Sequence, residues 1–403
     1  MPSCRPAAPI VPAAGDPRAS LRAHAEDKLA DLAARDRRRL AVETRALDAV
    51  TVTRGGRRLV NVSSNDYLGL AHDPRVIAAA QAAAAAHGTG AGASRLITGE
   101  HPEVVALEAE LAAFKGAEAA LVFSSGYAAN LGIVSALAGR SDLIVIDDLA
   151  HNCLHMGARL SGATVHRFAH NDAACAHDLL ARHRSGARHA LLLTDGVFSM
   201  DGDRAPVAAL ARVAAAHDAW LLVDDAHGLG VVAAGRGAAA GADVPLAMGT
   251  LSKALGSQGG YVCADRPVVE LLRNRARSFV YSTGLAPASA AAARAALAIV
   301  VAEPERCARP QALAARVAEA LGLPAPDSPV LPIVLGAEQA ALDAQAALEA
   351  RGYLGVAVRP PTVPPGTARL RISLSAALSD AQVAGLIDAL RAVLAETGGR
   401  AAR

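Results

Sequence analysis

From Ala119 to Ala264 the chain alternates between apolar runs of strand length and alanine-rich stretches of helix length. The runs are AALVFSS, DLIVID, TVHRF, HALLLTD, AWLLVDD, PLAMGT and GGYVCA, and most are separated by segments such as APVAALARVAAAHDA. A strand that is apolar along its whole length needs cover on both faces, and a helix between successive strands supplies it. The alternation predicts an α/β fold, with a large domain over residues 61–285 built on a seven-stranded, mostly parallel sheet.

The flanks read differently. Residues 1–20, rich in proline and alanine, predict a disordered tail, and residues 21–60 an N-terminal helix and arm. LRAHAEDKLADLAARDRRRL is the helix, from Leu21 to Leu40, and AVTVTRGG and RRLVNVSS are short extended pieces. After YSTGLAP a long helix starts near Pro287. VLPIVLG and ARLRISLSA then mix with the helical AALDAQAALEARG and DAQVAGLIDALRAVLAE. That mix predicts a smaller α+β domain over 286–403, which includes the connecting helix.

Composition excludes several classes. The 40 basic and 38 acidic residues form no basic stripe, which argues against nucleic acid. Cys4, Cys153, Cys175, Cys263 and Cys307 are odd in number, widely spaced and without a CxxC pair. That argues against a disulfide framework or a metal site and for reduced thiols in a cytoplasmic protein. GLAPASAAAARAALAIVV is alanine-rich and carries Arg294, so it reads as a packed helix and not a membrane span.

Ligands of open α/β sheets lie at the carboxyl ends of the strands, and three features fall there. FSSGYAAN turns from strand to helix, where Ser124, Ser125, Gly126 and Tyr127 can offer N–H groups to an anion, although an ordinary turn looks the same. Asp224 ends the strand in LLVDDAHGLG, with His227 three residues on. Buried there, Asp224 needs a cation, from an arginine or a ligand. Lys253, in GTLSKALGSQGGYV, has only small neutral neighbours. Such a lysine loses hydration, gives up its proton readily and suits imine chemistry. An anion cradle, a carboxylate and an imine-forming amine together describe pyridoxal phosphate.

A dinucleotide site is the rival reading of HGTGAGASRLITG, with Gly88, Gly90 and Ala93 in the glycine positions. A helix pattern precedes it where a strand is required. A non-catalytic binding protein is the rival from another class, and it has no need of an aspartate, a histidine and a lysine at successive strand ends.

At SSNDYLGL, SSGYAANLG, TDGVFSMDGDRAP, VDDAHGLG, GTLSKALGSQGGY, FVYSTGLAP and PPTVPPGTARLRISLSA the chain resembles the α-oxoamine synthases, pyridoxal phosphate enzymes of fold type I, the aspartate aminotransferase-like fold. The resemblance runs from about Leu21 to the C-terminal helix. It implies decarboxylative condensation of an amino acid with an acyl thioester. HRFAHND, YSTGLAP and PPTVPPGTARLR narrow the implied substrates to L-alanine and a pimeloyl thioester, on coenzyme A or on acyl carrier protein. A family member that uses glycine and acetyl-CoA is the alternative.

The resemblance also assigns residues. Lys253 joins the cofactor as an imine and moves the Cα proton, Asp224 pairs with the ring nitrogen, His227 and Ser199 lie near the ring hydroxyl, and His151 stacks on the ring. Ser125, Gly126, Tyr127 and Thr250 hold the cofactor and its phosphate. Ser282 and Thr283 reach a phosphate across a homodimer interface. Asn65 and Arg371 receive the amino acid carboxylate, while Thr362 and Arg37 face the acyl substrate.

Overall fold

The computed structural model describes residues 16–396. In chain order the strands are β1 (Thr44–Ala46), β2 (Thr51–Arg54), β3 (Arg57–Asn61), β4 (Ala119–Phe123), β5 (Leu143–Asp147), β6 (Thr164–Phe168) and β7 (Ala190–Asp195). They continue with β8 (Trp220–Asp224), β9 (Leu246–Thr250), β10 (Gly260–Ala264), β11 (Val330–Gly336), β12 (Tyr353–Leu354), β13 (Val356–Val358) and β14 (Ala368–Ser373). The helices are α1 (Pro17–Ala34), α2 (Pro74–His87), α3 (Pro102–Lys115), α4 (Gly126–Leu137), α5 (Asn152–Ser161), α6 (Ala173–His183) and α7 (Val207–Ala216). Then come α8 (Arg266–Arg275), α9 (Arg277–Val280), α10 (Pro287–Ala302), α11 (Pro304–Leu321), α12 (Glu338–Ala350) and α13 (Asp380–Glu396).

The seven apolar runs all become strands of one sheet, in the order β4-β10-β9-β8-β7-β5-β6. Every pairing from β9 to β6 is parallel, and β10 runs antiparallel between β4 and β9. The reason for their apolarity is visible in the alternation of side chains across the pleat. Ile144, Ile146, Leu191 and Leu193 point into one core with Ile133 and Leu154 of α4 and α5. Leu143, Val145 and Leu192 point into the opposite core with Leu180 and Leu210 of α6 and α7. Near β10, Val122, Tyr261 and Cys263 share a third core with Leu107 of α3 and a row of alanines from α10. Small side chains let α10 approach α2 and α3 closely, and Arg294 leaves that core to pair with Glu103 and Glu110. Among the described residues no helix is long and apolar enough to cross a membrane.

The C-terminal segment folds as a three-stranded antiparallel sheet, β11-β14-β13, whose core is shared with α11, α12 and α13. Strand β12 instead joins β1, β2 and β3, running parallel to β3. Ser373 N–H donates to Val62 O at 2.7 Å, so the segment after β3 is stitched to the C-terminal sheet. This stitching brings Asn65 and Tyr67 to the same side as β14.

Helix α1 starts at Pro17, capped by Asp16, and ends at Ala34, so it begins and ends earlier than the predicted Leu21–Leu40. Residues 1–15 of the expected tail lie outside the described residues. The glycines of HGTGAGASRLITG follow α2, not a strand, so the dinucleotide geometry is missing.

Candidate active site

The carboxyl ends of β4, β5, β7, β8 and β9 meet on one side of the sheet. Asp224 is the last residue of β8 and is 5% exposed. Its Oδ1 accepts from Ala226 N–H at 3.0 Å and its Oδ2 from Asn130 Nδ2 at 2.6 Å. Both oxygens are thereby fixed in direction. Asp195, the last residue of β7, accepts from His151 N–H at 2.9 Å. Burial, reinforced by the charge of Asp224, lifts the Asp195 carboxyl well above the usual carboxylate range. His151 then caps α5, with its ring beside Cys153.

Lys253 lies in the turn from β9 to β10. Its Nζ is 2.9 Å from His227 Nε2. Burial lowers the Lys253 pKa, while Asp224 and Asp195 pull it partly back. His227 is held well below its ordinary value, by burial and then by the Lys253 and Arg371 charges, so its ring is neutral. Tyr67 Oη lies 2.7 Å from His227 Nδ1, and Arg371 donates to that same oxygen at 3.3 Å. Contacts of hydrogen-bond length therefore connect Arg371 through Tyr67 and His227 to Lys253. Asn65 Oδ1 lies 3.3 Å from the Tyr67 hydroxyl.

The small residues around Lys253 have a packing reason. A side chain on Gly256 would collide with the backbone at Leu70 and Ala71, its Cβ only 2.3 Å from Ala71 N. A Cβ on Gly260 would lie 2.5 Å from Gly126 Cα, so only glycine lets β10 pass the start of α4. At that start Ser125 caps the helix by accepting from Ala128 N–H at 3.1 Å. The N–H groups of Gly126 and Tyr127 have no acceptor within the helix and lie at its positive end. Thr250 Oγ1 flanks them, bonded to Ser252 Oγ and to Gly259 O, each at 2.8 Å.

Arg371, on β14, is 7% exposed and donates through Nε to Ser199 O. The loop carrying Ser199 is tied down by His170, whose ring nitrogens meet Asp147 at 3.0 Å and Asp203 at 2.8 Å. Burial alone would lower the His170 pKa, but the bonds to both carboxylates outweigh it and push it up to about 10.

Of the residues expected from the sequence, Asn65, Ser125, Gly126, His151, Ser199, Asp224, His227, Thr250, Lys253 and Arg371 thus fall in one region. Tyr127 follows Gly126 and is 44% exposed. Ser282 and Thr283 lie in the α9–α10 connection, where Thr283 pairs with Ser94. Arg37 is held by Glu338 at 3.3 Å, and the arginine that reaches Thr362 Oγ1, at 3.0 Å, is Arg39. Three buried polar residues were missed: Tyr67, Asn130 and Asp195. Their partners His227, Asp224 and His151 lie 160, 94 and 44 residues away along the chain, so no local sequence signal marks them.

The site can hold an anion at the α4 start, a protonated ring nitrogen at Asp224 and a carbonyl carbon at Lys253. Comparison with known proteins agrees with that donor set. Residues 57–390 match the family of class I and II aminotransferases. The 8-amino-7-oxononanoate synthase of Methylorubrum populi is 62% identical over 376 residues, 93% of this chain and 95% of that protein. Serine palmitoyltransferase of Sphingomonas wittichii superposes with a TM-score of 0.88 at 31% identity, covering 95% of this chain and 99% of that one. A serine palmitoyltransferase solved with pyridoxal phosphate gives a TM-score of 0.85 at 28% identity, over 95% of this chain and 98% of that one.

Proposed function

The chain belongs to the aminotransferase class I and II family, and from that premise we infer that it carries out the 8-amino-7-oxononanoate synthase reaction of biotin synthesis. The observation that carries the reading is the buried Lys253 amine 2.9 Å from His227 Nε2, close to an Asp224 carboxylate fixed by Asn130 and Ala226. Its cofactor is pyridoxal phosphate. Bound there, this cofactor supplies an electron sink for the pair left on the amino acid Cα.

The chain's own residues do the rest. Ser125, Gly126, Tyr127 and Thr250 take the phosphate, with the helix dipole favouring its charge. Asp224 keeps the ring nitrogen protonated, because an opposite charge within a few Å favours the charged form. His227 and Ser199 orient the ring hydroxyl, and His151 covers the ring face. Lys253 Nζ is the amine that would hold the cofactor, and once freed it would take the L-alanine Cα proton. Arg371 and Asn65 receive the L-alanine carboxylate until it leaves as carbon dioxide. The acyl group comes from a pimeloyl thioester, on coenzyme A or on acyl carrier protein, and its free thiol is the other product. Thr362 lines the acyl path together with Arg39 or Arg37. The geometry favours Arg39, which already reaches Thr362, whereas the family resemblance points to Arg37.

The enzyme works as a homodimer in this reading, with Ser282 and Thr283 reaching the phosphate of a second copy's site. Support comes from the exposed apolar residues around them: Tyr281 is 80% exposed and Ile97 75%. The working division is a tail and arm to residue 60, a large domain over 61–285 and a small one over 286–403. Single-turnover product analysis tests the reaction, with L-alanine, glycine and L-serine offered against acetyl and pimeloyl thioesters. L-alanine with the pimeloyl thioester is the fastest pair, and L-alanine exceeds glycine by about 10- to 200-fold in kcat/KM, the worth of one buried methyl. Fastest turnover of glycine with acetyl-CoA would replace this reading with that of the glycine-using ligase.

A further inference from the structure

Asn130 lies on α4 and is 0% exposed. Its amide nitrogen makes two bonds, to Asp224 Oδ2 at 2.6 Å and to Cys153 Sγ at 3.0 Å. Its Oδ1 is buried and has no partner among the described residues. Rotating the amide would aim a carbonyl oxygen at a carboxylate and forfeit both bonds, so the demand of Asp224 fixes the orientation. Cys153 Sγ lies 2.8 Å from His151 Nδ1, and the Cys153 N–H donates to the same nitrogen at 3.3 Å. Nδ1 is therefore an acceptor, and the ring proton sits on Nε2. Burial and then the Asp224 charge push the Cys153 thiol up, which keeps an S–H proton available.

We propose that Asn130 and Cys153 are positioning residues that act as one connected unit. Asn130 gives one amide proton to Asp224 and the other to Cys153 Sγ, and Cys153 gives its thiol proton to His151 Nδ1. The carboxylate that serves the ring nitrogen and the imidazole that covers the ring are thus set by one buried side chain between them. The proposal rests on the reading of this cleft as the pyridoxal phosphate site. The chemistry needs no new reactant, since every proton stays in a hydrogen bond.

The test compares wild type with Asn130→Ala, Cys153→Ala and Cys153→Ser. Three quantities are measured: the dissociation constant of pyridoxal phosphate from apoprotein, kcat and KM, and the titration of His151 in 15N-histidine-labelled apoprotein. Asn130→Ala weakens cofactor binding by about 10- to 100-fold, the scale of a lost hydrogen bond to a charged group, and lowers kcat more than it alters KM for the thioester. Cys153→Ala raises the His151 pKa, because a donor to Nδ1 favours the neutral ring, and Cys153→Ser restores it. Asp224 and Lys253, which also bear on that titration, are unchanged in both cysteine variants. Wild-type affinity and kcat in a folded Asn130→Ala overturn the proposal, as does a wild-type His151 titration in Cys153→Ala. If Asn130→Ala does not fold, the cysteine pair decides alone. Failure of the wild-type protein to bind pyridoxal phosphate would instead overturn the reading of the cleft, and the two failures are told apart by that first measurement.

Discussion

Two lysines lie near two consecutive aspartates in this protein, one bonded to Asp225 and the other facing His227. Lys115, at the end of α3, has a side chain 6% exposed, with Nζ 2.9 Å from Asp225 Oδ2 and 2.8 Å from Arg236 O. Asp225 also accepts from Ala238 N–H at 2.8 Å, so the pair closes the loop that carries His227. Among the described residues Lys253 has no carboxylate in bonding distance; its near neighbour is the neutral His227 at 2.9 Å. The first lysine meets a carboxylate and a carbonyl. The second meets an imidazole, and burial lowers its pKa. In the proposed function, the identity of the atom at 2.9 Å separates the structural cation from the nucleophile.

Replacing each lysine separates the two roles most sharply. Lys253→Ala is expected to lower kcat/KM by on the order of 10³-fold or more while the protein still folds and binds pyridoxal phosphate non-covalently. Lys115→Met leaves Asp225 buried without its cation and is expected to cost about 3–5 kcal/mol of stability, read by denaturant unfolding, with kcat altered far less than in Lys253→Ala. Equal losses of kcat in the two variants would break the comparison.

The aspartates sharpen it one step further. Asp224→Asn nearly keeps shape but removes the charge facing the ring nitrogen, and steady-state kinetics should show a drop of roughly 10²-fold, ~2.7 kcal/mol. The smallest effect lies in pH. Lys253 has a folded pKa below its unfolded value of about 10.4, so the unfolded apoprotein binds more protons between those two values. Apoprotein stability is therefore penalised below the folded pKa, and the penalty fades as pH rises towards about 10.4. Lys253→Met should flatten that slope in urea titrations across this window. A variant slope equal to wild type would mean that Lys253 stays charged in the fold.

Much of this was legible in the sequence for a physical reason. Strands covered on both faces must be apolar throughout, so six of the seven main strands announced themselves on that ground, while β6, at the sheet edge, is exposed at three of its five positions. Short edge pieces carry no such demand: β1, β12 and β13 are two or three residues long, and β1 is exposed at every position. Lys253, Asp224 and His227 stood out as polar residues at the ends of apolar runs. Asn130 and Tyr67 did not, because their partners are 94 and 160 residues away and only the fold brings them together. The arginine beside Thr362 was likewise undecidable from three arginines in a row, since the exit of α1 determines which of them points inward.

In the proposed function Lys253, and not Lys115, is the amine that carries the cofactor, and borohydride reduction of the pyridoxal phosphate-loaded protein followed by peptide mass spectrometry tests this. A single cofactor adduct is expected on the peptide containing Lys253, absent in Lys253→Ala and retained in Lys115→Met. An adduct on Lys115 or Lys28, or undiminished labelling of Lys253→Ala, would contradict it.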